Sequence, residues 1–374
     1  MANAVDPREW LDSPDKRLPA NSHVPADSRF RRIALIHDDI PPGAPPDAQD
    51  ALVQRDAIAR VLAAVSYRTV AAFPVDLDFD RLRRQLLAFR PDAVFNLSEA
   101  PGGKDRLIVF VPALLETLGL PHTGASANAL FLAADKSLAK RLLSRHGVRT
   151  PGWFDEDSPK SGVLNPLYPH PFGRGGRVIV KSRWDHASAG LDDDSVWTLP
   201  GEEPPPAPGI RALLLRRLAE FREKHGSPAL IEQYVEGREF NLSFLEHSHG
   251  LQCLPPAEMR FEGFGDRPRI LGYSAKWNEN SPEYRGTART FDIPGEDRPL
   301  LDKMRRAAAD AWEAFGLRGC ARMDFRVDAA GDPWLLEVNP NPCLSPDAGF
   351  AAAAARAGLD YAGMVERLLA NASA

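Results

Sequence analysis

Apolar and polar residues alternate along the stretch Cys320–Pro346, and this pattern predicts a β-hairpin. Residues 320–327 form the first strand, the turn sequence DAAGDP follows, and Trp334–Asn339 form the second strand. Side chains alternate between the two faces of a strand, so we expect Leu336 and Val338 on the face that packs into the core. The opposite face then carries four polar side chains: Arg322, Asp324, Glu337 and Asn339.

Residues 30–123 alternate between short apolar runs and helical patterns, which predicts a parallel sheet. Ligands of such sheets lie beyond the carboxyl ends of the strands, so we expect a ligand edge at His37–Ile40 and Leu97–Asp105. Residues 1–29 are polar and rich in proline, and we interpret them as an N-terminal extension. The predicted strands are Arg32–Ile36, Tyr67–Val75 and Asp92–Asn96, with a helix that contains Leu52 and Leu62 and another over Arg81–Phe89.

The rest of the chain shows two loops rich in proline, at residues 155–176 and 200–209. These loops and the alternation of elements predict an N-terminal domain over 30–123, a central lobe over 124–229 and a C-terminal lobe over 230–374. The predicted elements of the two lobes are a single helix Leu130–His146, a strand Arg177–Lys181, a helix Ile210–His225, strands Leu230–Val235 and Phe240–Leu245, a helix Leu300–Phe315, and two closing helices.

The composition is that of an ordinary globular protein. The 374 residues suffice for two or three domains, and 44% of them are hydrophobic and 26% charged. A net charge of −5 gives no support for a nucleic-acid partner. No apolar run approaches the length of a membrane span, and the three cysteines show neither a zinc spacing nor a disulfide pattern. We therefore expect a cytoplasmic protein with no membrane partner.

The polar face of the hairpin has the composition of a metal site. Asp324, Glu337 and Asn339 supply the oxygen ligands that Mg²⁺ prefers, and Mn²⁺ is the alternative metal. Arg322 beside them can stabilise a transferring phosphoryl group or an oxyanion. The alternative is an exposed hairpin whose polar face carries ordinary charges. Carboxylates beside long apolar runs need partners, which favours the metal site.

Lys181 ends an apolar strand and precedes Asp185–Gly190, a loop of small residues. A lysine at this place can hold phosphate, and small residues let backbone N–H groups approach phosphate oxygens. The alternative is a strand-end lysine that reaches solvent, which is the commoner case for a single lysine.

Several segments resemble the ATP-grasp superfamily, and more closely the D-alanine–D-alanine ligase family. The family pattern is R-x-D, a hairpin, then E-x-N with a proline shortly after. This chain has Arg322-Met323-Asp324, Glu337-Val338-Asn339 and Pro342. Residues 111–126 and 147–151 are similar to the same family, and the likeness covers about residues 91–370. The resemblance implies an α/β ATP-grasp fold, in which an N-terminal parallel-sheet domain precedes two α+β lobes that clasp ATP.

The resemblance also implies roles for individual residues. Asp324, Glu337 and Asn339 would bind Mg²⁺, Arg322 would act on the oxyanion, and Lys276 in the stretch YSAKW would neutralise phosphate. Glu232 would accept a hydrogen bond from the adenine amino group, Val235 would offer its backbone, and Glu239 would hold the ribose. The full set implied to bind ATP is Lys136, Lys181, His186, Ser188, Gly190, Glu232, Val235 and Glu239.

The segments that bind substrate in the family differ in this chain. A glutamate-containing segment after the first strand is replaced by HDDIPPGAPPDAQD, where Asp38 and Asp39 are the acidic candidates. The family sequence H-G-x-x-G-E-D-G is replaced by SEAPGGKD, and P-G-M-T by Pro342-Cys343-Leu344-Ser345. Retained ATP and metal residues beside altered substrate residues indicate the same chemistry on a different substrate.

We therefore expect an ATP- and Mg²⁺-dependent carboxylate–amine ligase that forms an acyl phosphate from small amino-acid or peptide substrates. One alternative is a nucleotide-binding protein of this fold without ligase activity, and the presence of Arg322 argues against it. Another is a ligase with a thiol or hydroxyl acceptor. The sequence leaves a homodimer open.

Overall fold

The computed structural model describes residues 29–157, 176–185, 188, 190–200, 208–247 and 250–373. No helix within these ranges is both long enough and apolar enough to cross a membrane. The described residues form three separate sheets with helices packed on them.

The N-terminal sheet is parallel, as predicted, and its central strand is the first in the chain. The strands are Arg32–Asp38, Thr69–Val75 and Ala93–Asn96. Helices Pro46–Ala63 and Phe79–Phe89 connect them, and helix Phe110–Thr117 follows. Crossover helices between parallel strands bury both faces of the sheet, which explains why Ile33–Ile36 are fully buried.

The central sheet has four antiparallel strands. In spatial order they are Trp153–Phe154, Ala229–Gln233, Arg177–Ser182 and Val196–Thr198. Helix Pro208–His225 packs on one face through Ile210, Leu214 and Leu218. The strand Ala229–Gln233 therefore pairs within this sheet, past the predicted boundary near 229, while the division into domains stays a prediction.

The C-terminal sheet contains the hairpin and has six antiparallel strands. Its path runs Thr287–Thr290, Ala257–Phe261, Arg238–His247, Cys320–Val327 and Pro333–Asn339, and Gly250–Cys253 pairs with Arg238–His247. Helix Arg298–Phe315 covers the apolar face through Met304, Ala308 and Trp312. The short helices Tyr273–Trp277 and Pro282–Arg285 lie between strands of this lobe.

The prediction of one helix over 130–146 is wrong. The structure has two helices, Ala127–Ala134 and Lys136–Arg145, which meet at Asp135. The Asp135 carboxylate accepts hydrogen bonds from the backbone N–H groups of Ser137 and Leu138, so it caps the second helix. Apolar residues recur on both sides of this break, and for that reason the pattern resembles one continuous helix.

The closing helices Gly349–Arg356 and Tyr361–Ala370 pack on the N-terminal sheet. The buried Arg68 guanidinium forms an ion pair with Glu366 from the last helix. A buried pair of this kind leaves an uncompensated charge if one partner is removed. The N-terminal sheet and the last helix are thus held together, with the ligand edge of the parallel sheet facing the C-terminal lobe.

Candidate active site

The hairpin forms, and the four polar residues share one of its faces, as predicted. Arg322 lies opposite Asn339, and Asp324 lies opposite Glu337. A register shift follows Asp324, because Phe325 pairs with Leu335. This β-bulge adds one residue to the second strand and re-aims the side chains beside it.

The bulge overturns one detail of the prediction. Leu335 is fully buried in the core, whereas Leu336 is only half-buried and lines the first cavity described below. Val338 lies in the core as expected. Leu336 thus supplies an apolar wall next to the polar face, which strict alternation does not predict.

Arg322 and Asp324 form a two-point ion pair. Arg322 Nε and Nη2 each donate to one Asp324 oxygen at 2.8 Å. The Asn241 side-chain amide donates a further hydrogen bond of 2.7 Å to Asp324 Oδ1. Desolvation alone would lower the pKa of Arg322, but Asp324 outweighs it and the pKa is raised. Arg322 is therefore a fixed cation, and its third nitrogen, Nη1, has no partner among the described residues.

The oxygen atoms on this face fit a divalent cation. Two carboxylates and one amide lie on neighbouring strands of the same sheet face. A carboxylate oxygen has two lone pairs, so Asp324 can accept from Arg322 and still bind a metal ion. The charge of Glu337 acts to raise the pKa values of Lys140, Lys276 and Arg322. The donor set is the one that hard cations prefer.

Glu232 lies between two lysines at the centre of the molecule. Lys140 Nζ is 2.8 Å from Glu232 Oε2, and Lys181 forms an ion pair with Oε1. Lys140 and Glu232 are 1% and 2% exposed. Desolvation raises the pKa of Glu232, but the two lysine charges outweigh it and the pKa lies below its ordinary value. Since two lysines share one carboxylate, the cluster keeps a positive charge that faces the cavity through Lys181.

Lys140 is a residue that the sequence reasoning missed. It lies four positions after Lys136 on the same helix, so both side chains project from one helix face. Its ammonium also donates to the Thr150 hydroxyl at 3.0 Å. A spacing of four after a candidate lysine was the available signal, but only the tertiary structure shows the carboxylate that holds it.

Lys136 follows the cap of its helix, and its side chain is held by the backbone of Asp185. The Arg183 guanidinium binds both oxygens of Asp135, at 2.8 and 2.7 Å. This ion pair joins the helix start to the end of the strand that carries Lys181. Lys136 Nζ donates to the backbone oxygen of Asp185 at 2.8 Å. Lys136 and Lys181 thus lie at one cavity, although they are 45 residues apart in the sequence.

The small-residue loop bends sharply at Ser188, where φ is +64°. A non-glycine residue in this region costs conformational energy, and the Ser188 hydroxyl compensates with a 2.6 Å hydrogen bond to the backbone oxygen of Leu271. Gly190 follows with φ of +70°, and a Cβ there would lie 3.0 Å from His225. Ser188 lines the cavity, but Gly190 does not. The predicted His186 lies outside the described residues.

Glu239 contacts a buried arginine. Arg326 Nε donates to Glu239 Oε2 at 2.9 Å, and the two residues are direct partners across neighbouring strands. The same guanidinium donates to the backbone of Gly237 and Arg269. Arg326 thus orients the Glu239 carboxylate, and Oε1 keeps its full capacity to accept hydrogen bonds.

These side chains line two adjoining cavities. The first cavity, between the central and C-terminal sheets, contains Lys136, Lys181, Ser188, Glu232, Val235, Glu239, Lys276, Arg322, Asp324, Glu337 and Asn339 among its lining residues. The second cavity is larger, about 480 against 150 Å³. It shares Glu239, Leu271, Lys276, Arg322, Asp324 and Asn339 with the first. The polar face of the hairpin therefore lies at the junction of the two.

Lys276 has no ion pair within the part of the chain that the structure describes. Desolvation and then the charge of Arg322 lower its pKa, while Asp324, Glu337 and Glu239 act in the opposite direction. A half-buried lysine without a partner at the junction of two cavities is placed to meet an anion.

The second cavity extends from the hairpin to the ligand edge of the parallel sheet. Asp50 accepts hydrogen bonds from Ser345 Oγ at 2.7 Å and from Cys343 Sγ at 3.0 Å. Asp47 accepts from the Tyr273 hydroxyl at 3.0 Å. Burial, followed by the charge of Asp38, raises the pKa of Glu99 to about 8. One wall of the cavity is thus acidic.

Asp38 does not reach this cavity. It is 4% exposed and accepts hydrogen bonds from the Ser98 hydroxyl and from the backbone of Glu99 and Ala100. Its role in the structure is to shape the 98–100 loop, which brings Glu99 to the cavity wall. Of Asp38 and Glu99, only Glu99 lines the second cavity.

Comparison with solved structures identifies the class of fold. The crystal structure of D-alanine–D-alanine ligase from Bacillus anthracis complexed with ATP superimposes with a TM-score of 0.65 at 19% identity, covering 91% of this chain and 97% of that one. The described residues therefore have the ATP-grasp fold, as predicted.

Sequence comparison identifies the family. A family model described as D-ala D-ala ligase C-terminus matches residues 214–370. D-Alanine–D-alanine ligase of Oleidesulfovibrio alaskensis is 32% identical over 277 residues, which are 74% of this chain and 77% of that protein. The enzyme of the same name from Stutzerimonas stutzeri is 31% identical over 320 residues, or 83% and 87% of the two chains. This chain belongs to the D-alanine–D-alanine ligase family, which confirms the predicted family and the predicted class, an ATP-dependent ligase that forms C–N bonds.

Proposed function

We propose that this chain joins the carboxylate of one amino acid or peptide to the amine of another, with ATP consumed through an acyl phosphate. The observation that carries the proposal is the face formed by Arg322, Asp324, Glu337 and Asn339, which lies where the two cavities meet. A group transferred from nucleotide to substrate has to pass this junction. This position supports the proposed roles of Asp324, Glu337 and Asn339 as metal ligands and of Arg322 as the oxyanion donor.

The first cavity supports binding of ATP. Lys136, Lys181 and Lys276 are three cations on its walls, and Leu336, Ile179 and Ile270 are apolar residues for the base. Glu232 keeps the Lys181 ammonium in place, because the buried carboxylate is directly bonded to it. The roles of Val235 at the base and of Glu239 at the ribose are consistent with their places in this lining.

Asp324, Glu337 and Asn339 would hold the divalent metal ion. When bound there, it would neutralise phosphate charge in a site that already contains three lysines. All donors are oxygen atoms, so Mg²⁺ is the metal we propose, and Mn²⁺ fits the same donors.

The reaction balances without a covalent link to the protein. A carboxylate oxygen of the first substrate bonds to the γ-phosphorus of ATP, and ADP leaves. The amine of the second substrate then bonds to the carbonyl carbon, one of its protons is lost to solvent, and phosphate leaves with the former carboxylate oxygen. Arg322 Nη1, which has no protein partner among the described residues, is free to donate to the oxyanion that forms at that carbon.

Because the relatives are named D-alanine–D-alanine ligase, D-alanine is the first substrate to test. The second cavity, however, carries Cys343 and Ser345 bonded to Asp50, at a place where the sequence departs from the family pattern. The substrate class that we propose is therefore amino acids or short peptides, in a protein that works in the cytoplasm. Dimer formation stays a prediction.

ATP turnover in the presence of an amino-acid and dipeptide panel, with products identified by mass, tests the proposal. We expect Lys136→Ala and Lys181→Ala to raise the KM for ATP, since each removes a phosphate contact made before the transition state. Charge-assisted contacts of this type are worth roughly 10-fold or more in affinity.

Lys303→Ala is the matched control, because Lys303 lies on an exposed helix surface outside both cavities. It should leave the KM for ATP unchanged. An equal KM for ATP in all three variants and the wild type would show that Lys136 and Lys181 do not bind the nucleotide. An ATP turnover that never yields a joined product would reject the ligase reaction.

A further inference from the structure

Arg289 lies on the wall of the second cavity, at the edge of the C-terminal sheet. It belongs to the strand Thr287–Thr290 and pairs directly with Met259, and both residues line the cavity. The resemblance to the ligase family assigns no role to Arg289. Its side chain is exposed to the cavity and its strand is otherwise held by backbone pairing.

Arg289 has no hydrogen bond and no ion pair within the described ranges of the chain. Neighbouring arginines of the same lobe differ. Arg238 pairs with Glu258 and Asp297, Arg260 pairs with Glu258, and Arg267 pairs with Glu283. Arg289 is therefore a cation that the protein presents without compensating it.

The surroundings of Arg289 are short of negative charge. Desolvation and the nearby Arg322 charge lower its pKa, and Asp347, which acts in the opposite direction, forms no ion pair with it. A Cβ on Gly349 would lie 3.5 Å from the Arg289 guanidinium. The guanidinium thus lies beside the first turn of helix Gly349–Arg356, which has no side-chain cap. The helix N-terminus is itself positive, so an anion placed there is attracted by both.

Arg322 cannot serve as a receptor for a whole carboxylate. Two of its nitrogens are bonded to Asp324, which leaves Nη1 alone for a substrate atom. The complete fork of Arg289 is available, and that fork matches the two oxygens of a carboxylate. The cavity consequently contains one site for a developing oxyanion and a separate site for a permanent anion.

Acidic residues from the N-terminal part of the chain complement this arrangement in the same cavity. Asp47, Asp50 and Glu99 line it, and Asp50 and Asp47 are fixed by hydrogen bonds to Ser345 and Tyr273. The carboxylates of Asp47 and Asp50 repel an anionic group and attract an amine. A molecule with an amine and a carboxylate is therefore oriented along the cavity.

We propose that Arg289 binds the free carboxylate of the amine substrate, so that the acceptor is an amino acid or a peptide with an unblocked C-terminus. This inference rests on the proposed ligase function, which makes the second cavity the binding site of the amine substrate. It excludes simple amines, thiols and hydroxyl compounds without an anionic group as good acceptors.

Binding of dipeptide products tests the inference without any need for turnover. Calorimetry would compare a panel of dipeptides, D-alanyl-D-alanine among them, each with a free and with an amidated C-terminus. The proteins are the wild type, Arg289→Gln, Arg289→Lys and the control Arg260→Gln. Arg260 is next to Met259 on the neighbouring strand, is bonded to Glu258 and does not line the cavity.

At least one free dipeptide should bind the wild type and Arg260→Gln roughly 10-fold or more tightly than its amide. Arg289→Gln should remove this preference while leaving the affinity for the amide unchanged. Arg289→Lys should restore it in part, because a point charge lacks the fork. Because Arg289 has no bonded protein partner in the described structure, the melting temperature of Arg289→Gln should equal that of the wild type.

No preference in the wild type, or the same preference in Arg289→Gln, would overturn the inference. The proposed function fails separately, if the wild type binds dipeptides but no panel member ever yields a joined product from ATP. In that case an Arg289-dependent preference would still establish the carboxylate receptor.

Discussion

Arg322→Ala is expected to lower amide formation by roughly 10²-fold or more, the usual cost of one lost oxyanion donor. Binding of ATP should change far less, because the lysines of the first cavity remain in place. The physical reason is that negative charge on the carbonyl oxygen grows only as the amine attacks, so the contact from Nη1 is strongest in the transition state. Product formation and calorimetric affinity for ATP, measured on the same preparation, separate the two effects.

Substitution of Arg322 also changes the hydrogen bonds of Asp324. Removal of Arg322 takes two hydrogen bonds from Asp324, although the amide of Asn241 still holds one oxygen. Arg322→Lys keeps the charge but loses the fork that bonds both oxygens, so it should recover little. Arg306→Ala is the matched control, since Arg306 is exposed on helix Arg298–Phe315 and lines neither cavity. An equal loss of affinity and rate would instead make Arg322 an anchor for the nucleotide.

Glu337→Gln should nearly abolish turnover at low Mg²⁺ while the fold stays intact. The side chain lies on the polar face opposite Asp324, not in the core, so its charge is not needed for packing. Loss of a group that supports a metal ligand typically lowers metal affinity or activity 10- to 100-fold. Loss of the charge on the ligand itself should lower activity by at least about as much. The measurement is turnover against Mg²⁺ concentration, with thermal unfolding recorded in parallel.

Glu296→Gln provides the control for this variant, because Glu296 is an exposed acidic residue of the same lobe. It should match the wild type at every Mg²⁺ concentration. A collapse of the melting temperature of Glu337→Gln would show that Glu337 is structural. Turnover that is unchanged at all concentrations would remove Glu337 from the metal site.

The hairpin was predictable because its pattern is local. A period of two over eight residues determines which side chains share a face, and the structure confirms Arg322, Asp324, Glu337 and Asn339 as neighbours. The bulge at Leu336 was not predictable, since it depends on the register between two strands and not on the order of apolar residues within one.

Ion pairs between residues that are far apart in the sequence were also not predictable. Lys140 reads as one more polar residue of an amphipathic helix, yet it is buried against Glu232, 92 positions later. Asp135 was a missed signal of a different kind. An aspartate before a run of helix-forming residues is a typical cap, but the apolar residues on its two sides concealed the break.

The residues proposed to bind the substrate were the hardest to predict from the sequence. Arg289 lies in the short sequence TART, which has no distinguishing pattern. Only the structure shows that its guanidinium has no ion-pair partner among the described residues. Asp38 looked like a candidate for a substrate ammonium because it follows the first strand. The structure uses it instead to hold the 98–100 loop. Sequence likeness therefore predicted the residues for catalysis, whereas the proposed acceptor site rests on the three-dimensional structure.

The central claim is that a substrate carboxylate is activated as an acyl phosphate at the junction of the two cavities. Transfer of ¹⁸O tests it most directly, with ATP, Mg²⁺, an amine acceptor and a carboxylate substrate labelled in both oxygens, taken from the panel pair that yields product. The account predicts one ¹⁸O atom in each phosphate released and one retained in the new amide, as read by mass spectrometry. Phosphate that carries no label while amide accumulates would contradict the account.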